Sequence, residues 1–269
     1  MSYNTLWRMT DDLWVRIEPL LPTAKQPGTV GQPALSQRRV LNGILHVLRT
    51  GCQWKSLPKE MFGASSSLHA YFQAWQKAGV WQRIFQLLLR HYAKVKGIQW
   101  RWQAIDSKSV AAPLGGEKTG KNPTDRGKLG SKWHLLTDAR GAPLAAVVSA
   151  ANVNEVTCTL DVLDALVVAR PERIYRVHHL CGDKGYDSEA LRQAVTERHY
   201  RVHFARRWPT ASKVAATRRH PARRWVVERT FAWQNKFRSL RTRWAKKADN
   251  WLALIHFASA LVLWKMSAA

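Results

Sequence analysis

Acidic residues are scarce in this chain of 269 residues, which has 18 aspartates and glutamates against 43 lysines and arginines. The formal net charge at neutral pH is therefore +25. An excess of one sign repels itself in a compact protein, so a charge of this size usually serves to meet a polyanion. Nucleic acid is the first candidate, because cations that neutralise phosphates release condensed counterions. A generic basic surface is disfavoured, since the cations occur in both halves of the chain.

Cysteine is also rare, and the three cysteines are Cys52, Cys158 and Cys181. Their number is odd and no two of them form a Cys-x-x-Cys pair, which argues against a disulfide framework and against a zinc site. These features are typical of a protein from a reducing cytosol.

Long apolar runs are missing as well. The stretch from Trp251 to Trp264 is apolar but contains His256, and it is shorter than the ~20 residues that a membrane-spanning helix needs. It predicts a buried closing helix and no membrane anchor. The first seven residues have no basic segment followed by an apolar run, so no secretory signal is predicted. We expect a cytoplasmic protein.

The first 97 residues have the spacing of apolar residues that is typical of helices. One helix is predicted from Ser36 to Thr50, where Gly51 ends it, and a second from Ser66 to Lys77, capped by Ser65 or Ser66. Short helices joined by a tight connection are compatible with a helix-turn-helix, and they are equally compatible with an ordinary helical bundle. In the first case, the outward side of the second helix offers groups for bases and phosphates: Ser67, His69, Gln73 and Lys77.

From about residue 98 to residue 269 the pattern is that of an α/β domain on a mixed sheet. The order is a strand ending before Asp106, a flexible connector, a hairpin, and then helices that alternate with strands. The predicted segments are 100–105, 111–131, 132–137, 143–149, 154–168, 178–181, 188–198, 200–205, 223–246 and 251–264. The sequence therefore predicts two regions, a helical one over 1–97 and an α/β one over 98–269.

Three acids stand out in the second region. Asp106 follows the β-prone residues of the first strand, Asp183 follows the strand at 178–181, and Glu228 lies in the predicted helix at 223–246. A buried carboxylate without a partner is unfavourable, so acids at such places need a reason. Three converging carboxylates form a hard oxygen site that suits Mg²⁺ or Mn²⁺. Such a metal pair supports in-line displacement at phosphorus.

Each acid has an ordinary interpretation when it is taken alone. An aspartate after a strand is often a turn or cap residue, and Glu228 is spaced to pair with Arg224 one helical turn earlier. Together, in a chain of charge +25 with this order of elements, the three acids favour a metal-dependent catalytic site.

Several motifs resemble those of bacterial DDE transposases, in particular the insertion sequence five family. The similar segments are Met9-Thr10-Asp11-Asp12-Leu13-Trp14, Glu18-Pro19-Leu20-Leu21-Pro22, Leu48-Arg49-Thr50-Gly51-Cys52-Gln53-Trp54, Gly130-Ser131-Lys132-Trp133-His134-Leu135-Leu136-Thr137-Asp138, Asp183-Lys184-Gly185-Tyr186-Asp187-Ser188 and Val227-Glu228-Arg229-Thr230-Phe231-Ala232-Trp233. The resemblance implies an RNase H-like catalytic domain, preceded by an all-α helix-turn-helix region that binds DNA. It also implies that Asp106, Asp183 and Glu228 form the catalytic, metal-binding triad.

The resemblance further implies the partners. The protein would bind double-stranded DNA at the terminal inverted repeats of its own element, cleave it, and join the 3′ hydroxyl to target DNA. Holding two ends together implies a homodimer in a synaptic complex, associated with the nucleoid. A non-catalytic DNA-binding regulator, an inactivated transposase and a nuclease that does not join strands remain alternatives.

The wider superfamily has a signature around the glutamate from which this chain departs. Arg224 fits its arginine, but Pro221 replaces its tyrosine, and Asn235 replaces its lysine, with Lys236 one residue late. On a continuous helix, Arg224 would share the face of Glu228 and contact phosphate. Lys236 and, on the same face, Arg243 would line a neighbouring groove for DNA backbone. Trp225 and Trp233 are candidates for stacking on an unpaired base, although core packing is the more ordinary role.

Overall fold

The computed structural model describes residues 8–23, 35–171, 177–206 and 224–268. Its helices are α1 (Asp11–Ile17), α2 (Gln37–Thr50), α3 (Lys59–Phe62), α4 (Ser65–Lys77), α5 (Val80–Lys96), α6 (Glu155–Asp164), α7 (Glu189–Glu197), α8 (Trp225–Gln234) and α9 (Ala248–Ala268). Its strands are β1 (Trp102–Ala111), β2 (Gly120–Lys121), β3 (Leu129–Asp138), β4 (Pro143–Ala150), β5 (His178–Gly182) and β6 (Tyr200–Phe204). Pro221, which belongs to the signature comparison, lies outside these residues.

The helices of the N-terminal region follow the expected boundaries closely. Gly51 adopts the left-handed conformation with φ of 69°, which ends α2 where the sequence predicts its end. The predicted serine cap of α4 is wrong, because Ala64 is the N-cap residue and no side chain caps this helix. Gly79, with φ of 70°, separates α4 from α5. The helical character of the region is therefore confirmed.

The five main strands are arranged in the order β4-β3-β1-β5-β6. Strand β3 is antiparallel to both β4 and β1, whereas β5 runs parallel to β1 and to β6. When these five strands are numbered by their order in the chain, their order across the sheet is third, second, first, fourth, fifth. The antiparallel strands β3 and β4 lie on one side of β1, and the parallel strands β5 and β6 lie on its other side. The arrangement confirms the expected mixed, RNase H-like sheet.

Strand β1 is longer than predicted, so Asp106 lies in its middle and not at its end. Asp106 is opposite Leu135 in the antiparallel pairing with β3, and this pairing continues as far as Ala111 opposite Gly130. The flexible connector predicted for 111–131 is also wrong, because β2 pairs with the start of β3 inside it. The segment 111–131 therefore contains regular strand pairing in spite of its glycine- and lysine-rich composition.

The predicted helix at 223–246 is wrong in its length. Helix α8 ends at Gln234, and a short 3-10 turn at Arg238–Leu240 follows. Gln234 is fully buried, accepts a hydrogen bond from Trp133 Nε1 at 3.2 Å and donates to Ser259 Oγ at 2.9 Å. The last turn of α8 is thus fixed between β3 and α9, and the chain turns away from the helix axis there.

Helix α9 is the closing helix that the sequence predicts. It is long and apolar enough to cross a membrane by length and composition, but 67% of its most apolar window is buried inside the protein. Its side chains pack against the N-terminal helices as well as the sheet, with the rings of Trp81 and Phe257 centred 5.1 Å apart. Most of its residues therefore serve as core.

The larger of two apolar clusters among the described residues joins the helical region to the sheet. It contains Leu41 of α2, Phe85 of α5, Ile105 of β1 and Ile255 of α9, each with no exposed surface. The boundary at residue 97 stays a prediction about function, since the packing is continuous across it.

Arg243 belongs to this interior, with a side chain that is 1% exposed. Its guanidinium donates to the carbonyl oxygens of Lys118, Ala245 and Lys246 and to Ser131 Oγ, over 2.6–3.1 Å. Its backbone N–H donates to Ala111 O at 2.8 Å. The expectation that Arg243 contacts DNA is wrong, because its donors are used inside the fold.

Arg243→Ala should lower the free energy of unfolding by at least about 3 kcal/mol, because buried carbonyl oxygens lose a charged donor. Arg243→Lys should lie between this variant and the wild type, since one ammonium replaces the fork of donors. Urea denaturation measures both. Arg90→Ala, at an exposed position of α5, is the control and should change stability by less than about 0.5 kcal/mol. A loss in Arg243→Ala no larger than that of the control, about 0.5 kcal/mol, would contradict the structural role of Arg243.

Candidate active site

Three elements bring the predicted acids to one place. Strands β1 and β5 are parallel neighbours with Ala104 opposite Cys181, and Asp106 and Asp183 each follow two residues later. Strand β5 ends at Gly182, so Asp183 stands where the two strands separate. Helix α8 packs on β1 and β3, and Glu228 lies in its first turn. The three carboxylates thus converge at the edge where β5 ends.

Arg224 connects two of these acids. Its Nη2 lies 2.8 Å from Glu228 Oε1, and its Nη1 lies 3.4 Å from Asp183 Oδ2. The ion pair that the spacing of Arg224 and Glu228 predicts is therefore present, and it extends to Asp183. All three side chains are partly exposed, at 42%, 47% and 30% respectively, so the cluster is open to solvent.

The electrostatic balance of the site is visible at Asp106. Burial, opposed by a hydrogen bond from the Ser107 N–H to Oδ1 at 2.8 Å, raises the pKa of Asp106 to about 6. The negative charges of Asp183 and Glu228 raise this pKa further, while the positive charge of Arg224 lowers it. An ionised Asp106 is therefore unfavourable here unless more positive charge is present.

The donor set fits a hard divalent cation. Three carboxylates offer only oxygen atoms, which Mg²⁺ and Mn²⁺ prefer. In the described residues, no group of three acids, histidines or cysteines is already spaced to hold a metal. The guanidinium of Arg224 supplies the positive charge between Asp183 and Glu228 instead. A metal would therefore require Arg224 to shift.

A polar network around Ser107 was not predicted from the sequence. Ser107 follows Asp106 in β1, so its side chain lies on the opposite face of the strand from that of Asp106. Ser107 Oγ donates to Glu155 Oε1 at 3.1 Å, and Lys132 Nζ donates to the same oxygen at 2.6 Å. Burial acts to raise the pKa of Glu155, but the hydrogen bonds it accepts, first among them that from Lys132, and the positive charge of Lys132 together outweigh burial, so the pKa is lowered. The only sequence signal was Asn154, which caps α6 and thereby places Glu155 in its first turn.

The candidate DNA-binding residues of α4 differ in exposure. Lys77 is exposed, whereas Ser67, His69 and Gln73 are half-buried. The ring of His69 lies 4.9 Å from that of Trp54, so it does not point freely outward as expected. His69 and Gln73 line one wall of a groove of about 590 Å³, whose other wall contains Trp244, Lys246 and Lys247. The helix-turn-helix interpretation stays a prediction.

The remaining candidates lie around α8. Lys236 is exposed just beyond the end of the helix, in a groove that also contains Lys96, Arg140 and Lys265. Trp225 is 56% exposed, so it does not fill the core. The guanidinium of Arg229 lies 4.8 Å from the ring of Trp225 and 4.9 Å from that of Trp233. This side of α8 therefore combines cations with an exposed indole.

The raised pKa of Asp106 has a consequence for stability in metal-free buffer. A carboxyl whose pKa is higher in the folded protein binds its proton more tightly there than in the unfolded chain. The free energy of unfolding should therefore fall as the pH rises from about 4 to about 6, by about 2 to 3 kcal/mol from this group. Asp106→Asn should lack this loss and be more stable than the wild type at neutral pH.

Urea denaturation at several pH values tests this expectation, with Asp161→Asn, an exposed acid of α6, as the control. The difference between wild type and Asp106→Asn should grow between pH 4 and pH 6, while the control stays parallel to the wild type. A difference that is the same at every pH would contradict it.

Comparison with known proteins places the chain among transposases. Residues 101–263 match the family model described as "Transposase DDE domain", and residues 9–85 match the one described as "Putative transposase of IS4/5 family". The "Putative transposase for insertion sequence element IS402" of Burkholderia cepacia is 40% identical over 163 residues, which are 60% of this chain and 73% of that protein. A 16.2 kDa protein of the same insertion element is 41% identical over 117 residues, covering 42% of this chain and 79% of its own length.

Among solved structures, the chain is similar to a pre-cleavage Mos1 transpososome at 12% identity and a TM-score of 0.29. That match covers 91% of this chain and 82% of the Mos1 chain, but the score is too low for a detailed comparison. The residues that match the DDE domain model, 101–263, are more than half of the chain and include Asp106, Asp183 and Glu228. The chain therefore belongs to the DDE transposases.

Proposed function

We propose that this transposase holds Mg²⁺ or Mn²⁺ with Asp106, Asp183 and Glu228, cleaves DNA at the ends of its insertion sequence, and joins the freed 3′ hydroxyl to target DNA. The observation that carries the proposal is the convergence of the three carboxylates at one edge of the sheet, around the single guanidinium of Arg224. In a chain of charge +25, this site combines metal-binding groups with a surface suited to a polyanion.

The protein contributes position and charge to this reaction. When bound, the metal would activate the attacking oxygen and neutralise charge on the phosphate and the leaving oxygen. Asp106 and Asp183 would hold it from two neighbouring strands, and Glu228 from α8. The guanidinium of Arg224, released from Asp183, would be free to contact a phosphate oxygen, a ligand that its planar fork suits.

Recognition of the DNA ends is proposed for the N-terminal helices. The amide of Gln73 and the ring of His69 line the groove, while Ser67 and the exposed ammonium of Lys77 lie on the same helix, α4. Amide side chains read base edges, whereas ammonium groups contact phosphates. The relative named as a transposase for insertion sequence element IS402 supports an insertion sequence as the substrate, and we propose its terminal inverted repeats as the DNA that is bound. Two ends must be held together, so we propose a homodimer that acts in the cytoplasm at the nucleoid.

Two other functions remain to be distinguished. A non-catalytic DNA-binding regulator would need DNA binding but no metal, and it gives the pKa of Asp106 no role. A nuclease without joining activity would cleave but leave a free 3′ hydroxyl. Cleavage of the element's end sequences with and without Mg²⁺, followed by a strand-transfer assay, separates all three.

Asp106→Asn, Asp183→Asn and Glu228→Gln should each reduce cleavage to less than a tenth of the wild-type rate. Loss of one carboxylate removes a metal ligand and several kcal/mol of transition-state stabilisation. Binding of the DNA ends, measured by fluorescence anisotropy, should change by less than threefold. Asp161→Asn is the matched control, because it removes an exposed acid of α6 outside the site. Cleavage above a tenth of the wild-type rate in any triad variant would refute that residue's assignment.

The affinity for duplex DNA should fall steeply with salt, with a log–log slope of about −0.9 for each phosphate neutralised. Lys77→Ala and Lys236→Ala should each reduce this slope by about 0.9, because each removes one exposed ammonium. Gln73→Ala should instead weaken the preference for end sequences over unrelated duplex. Arg243→Lys, at a buried position, is the control and should keep the wild-type slope. A slope that is unchanged in both lysine variants would mean that DNA binds elsewhere.

A further inference from the structure

Strand β1 has a neighbouring strand on one side only at the candidate metal ligand Asp106. Strand β5 pairs with β1 over Trp102–Ala104, so among the described residues no strand lies beside Asp106 and Ser107 on that side. The N–H of Ser107 donates to Asp106 Oδ1 at 2.8 Å. The orientation of the Asp106 carboxylate therefore depends on the position of Ser107.

The side chain of Ser107 is held by an ion pair on the other face of β1. Its Oγ donates to Glu155 Oε1 at 3.1 Å, and Lys132 Nζ donates to the same oxygen at 2.6 Å. Lys132 Nζ also donates to Val153 O at 2.8 Å, just before α6 begins. Hydrogen bonds thus connect β3 and the start of α6 to the part of β1 that carries Asp106.

The stability of the fold alone does not account for this ion pair. The side chains of Lys132 and Glu155 are only 10% and 28% exposed, so both charges have lost most of their contact with water. The attraction between two buried charges often fails to recover that loss, and an apolar pair of similar volume is frequently as stable. A carboxylate, however, accepts short and strong hydrogen bonds, which restrict the movement of Ser107.

We propose that Lys132, Glu155 and Ser107 are positioning residues, which hold the carboxylate of Asp106 in place for the metal through the N–H of Ser107. This inference rests on the proposed function. None of the three residues contacts the metal. They act as the hydrogen-bonded partners that orient metal ligands in other proteins, and they supply on the open side of β1 the support that β5 no longer gives.

Ser107→Ala tests the inference, because it removes the hydroxyl and leaves the N–H that Asp106 accepts. The affinity of the full-length, metal-free protein for Mn²⁺, measured by electron paramagnetic resonance, should fall by about 10-fold. This is the lower end of the range for the loss of a residue that supports a metal ligand.

Ser149→Ala is the matched control. Ser149 is buried in β4 opposite Lys132, and its Oγ lies in hydrogen-bond contact with His134 Nε2 at 2.8 Å. The control therefore removes a serine hydroxyl from the same sheet without touching the bonds of Ser107. It should keep the wild-type Mn²⁺ affinity, whatever its effect on the melting temperature.

A second variant replaces the ion pair itself. Lys132→Met combined with Glu155→Leu keeps the net charge of the protein, so a change of total charge does not contribute to its Mn²⁺ affinity. That affinity should fall by about 10-fold, while the melting temperature without metal stays within about 4 °C of the wild type. In a Ser107→Ala background the same replacement should lower the affinity no further, because the ion pair acts through Ser107.

Each other outcome overturns the inference. Wild-type Mn²⁺ affinity in Ser107→Ala would leave the network a structural role, and an equal loss in Ser149→Ala would show that any damage to the sheet suffices. A further loss on replacing the ion pair in the Ser107→Ala background would mean that the pair acts by another route. If the apolar pair does not fold, Ser107→Ala and its control decide alone. A wild-type protein that binds no Mn²⁺ would refute the proposed metal site and this inference with it, so the two failures are distinguishable.

Discussion

The burial of one carboxylate beside two others is the constraint on which the architecture of this site depends. The parallel pairing of β1 with β5 places Asp106 and Asp183 side by side, and α8 adds Glu228 across from them. Burial raises the pKa of Asp106 to about 6, and the negative charges of Asp183 and Glu228 raise it further. Arg224 reduces the repulsion without removing it. The site therefore lowers the stability of the metal-free fold at the place where a bound cation would be most strongly stabilised, as is typical of functional sites.

Much of this fold could be predicted from sequence because its signals are local. Asn154 and Ser188 are the first residues of the predicted segments 154–168 and 188–198, and their side chains cap α6 and α7 there. Gly51 ends α2 as predicted. The triad could also be proposed, since acids after β-prone segments are visible in the sequence. Their convergence could not be predicted from residue spacing, because it depends on which strands pair and in which direction.

The errors arise where tertiary contacts outweigh local preference. Residues 111–131 look like a flexible connector by composition, yet Arg243 donates to the carbonyl of Lys118 and ties this segment to the chain after α8. Similarly, the apolar spacing continues past Gln234, but the bonds of this residue to Trp133 and Ser259 end the helix. The ordered segment 111–131 and the early end of α8 both depend on hydrogen-bond partners more than 20 residues away in the sequence. The periodicity of apolar residues gives no information about such distant partners.

The early end of α8 also bears on the departure of this chain from the wider signature. A lysine seven residues after the glutamate returns to the same face only if the helix continues that far. Here the helix ends at Gln234. Asn235 still has helical backbone angles and donates its N–H to Phe231 O, whereas Lys236 lies in the turn that follows. Lys236 is exposed and joins Lys96, Arg140 and Lys265 around one groove. Beyond α8 the spacing in the sequence no longer fixes the direction of Lys236, so its proposed contact with the DNA backbone does not depend on the face of the helix that carries Glu228.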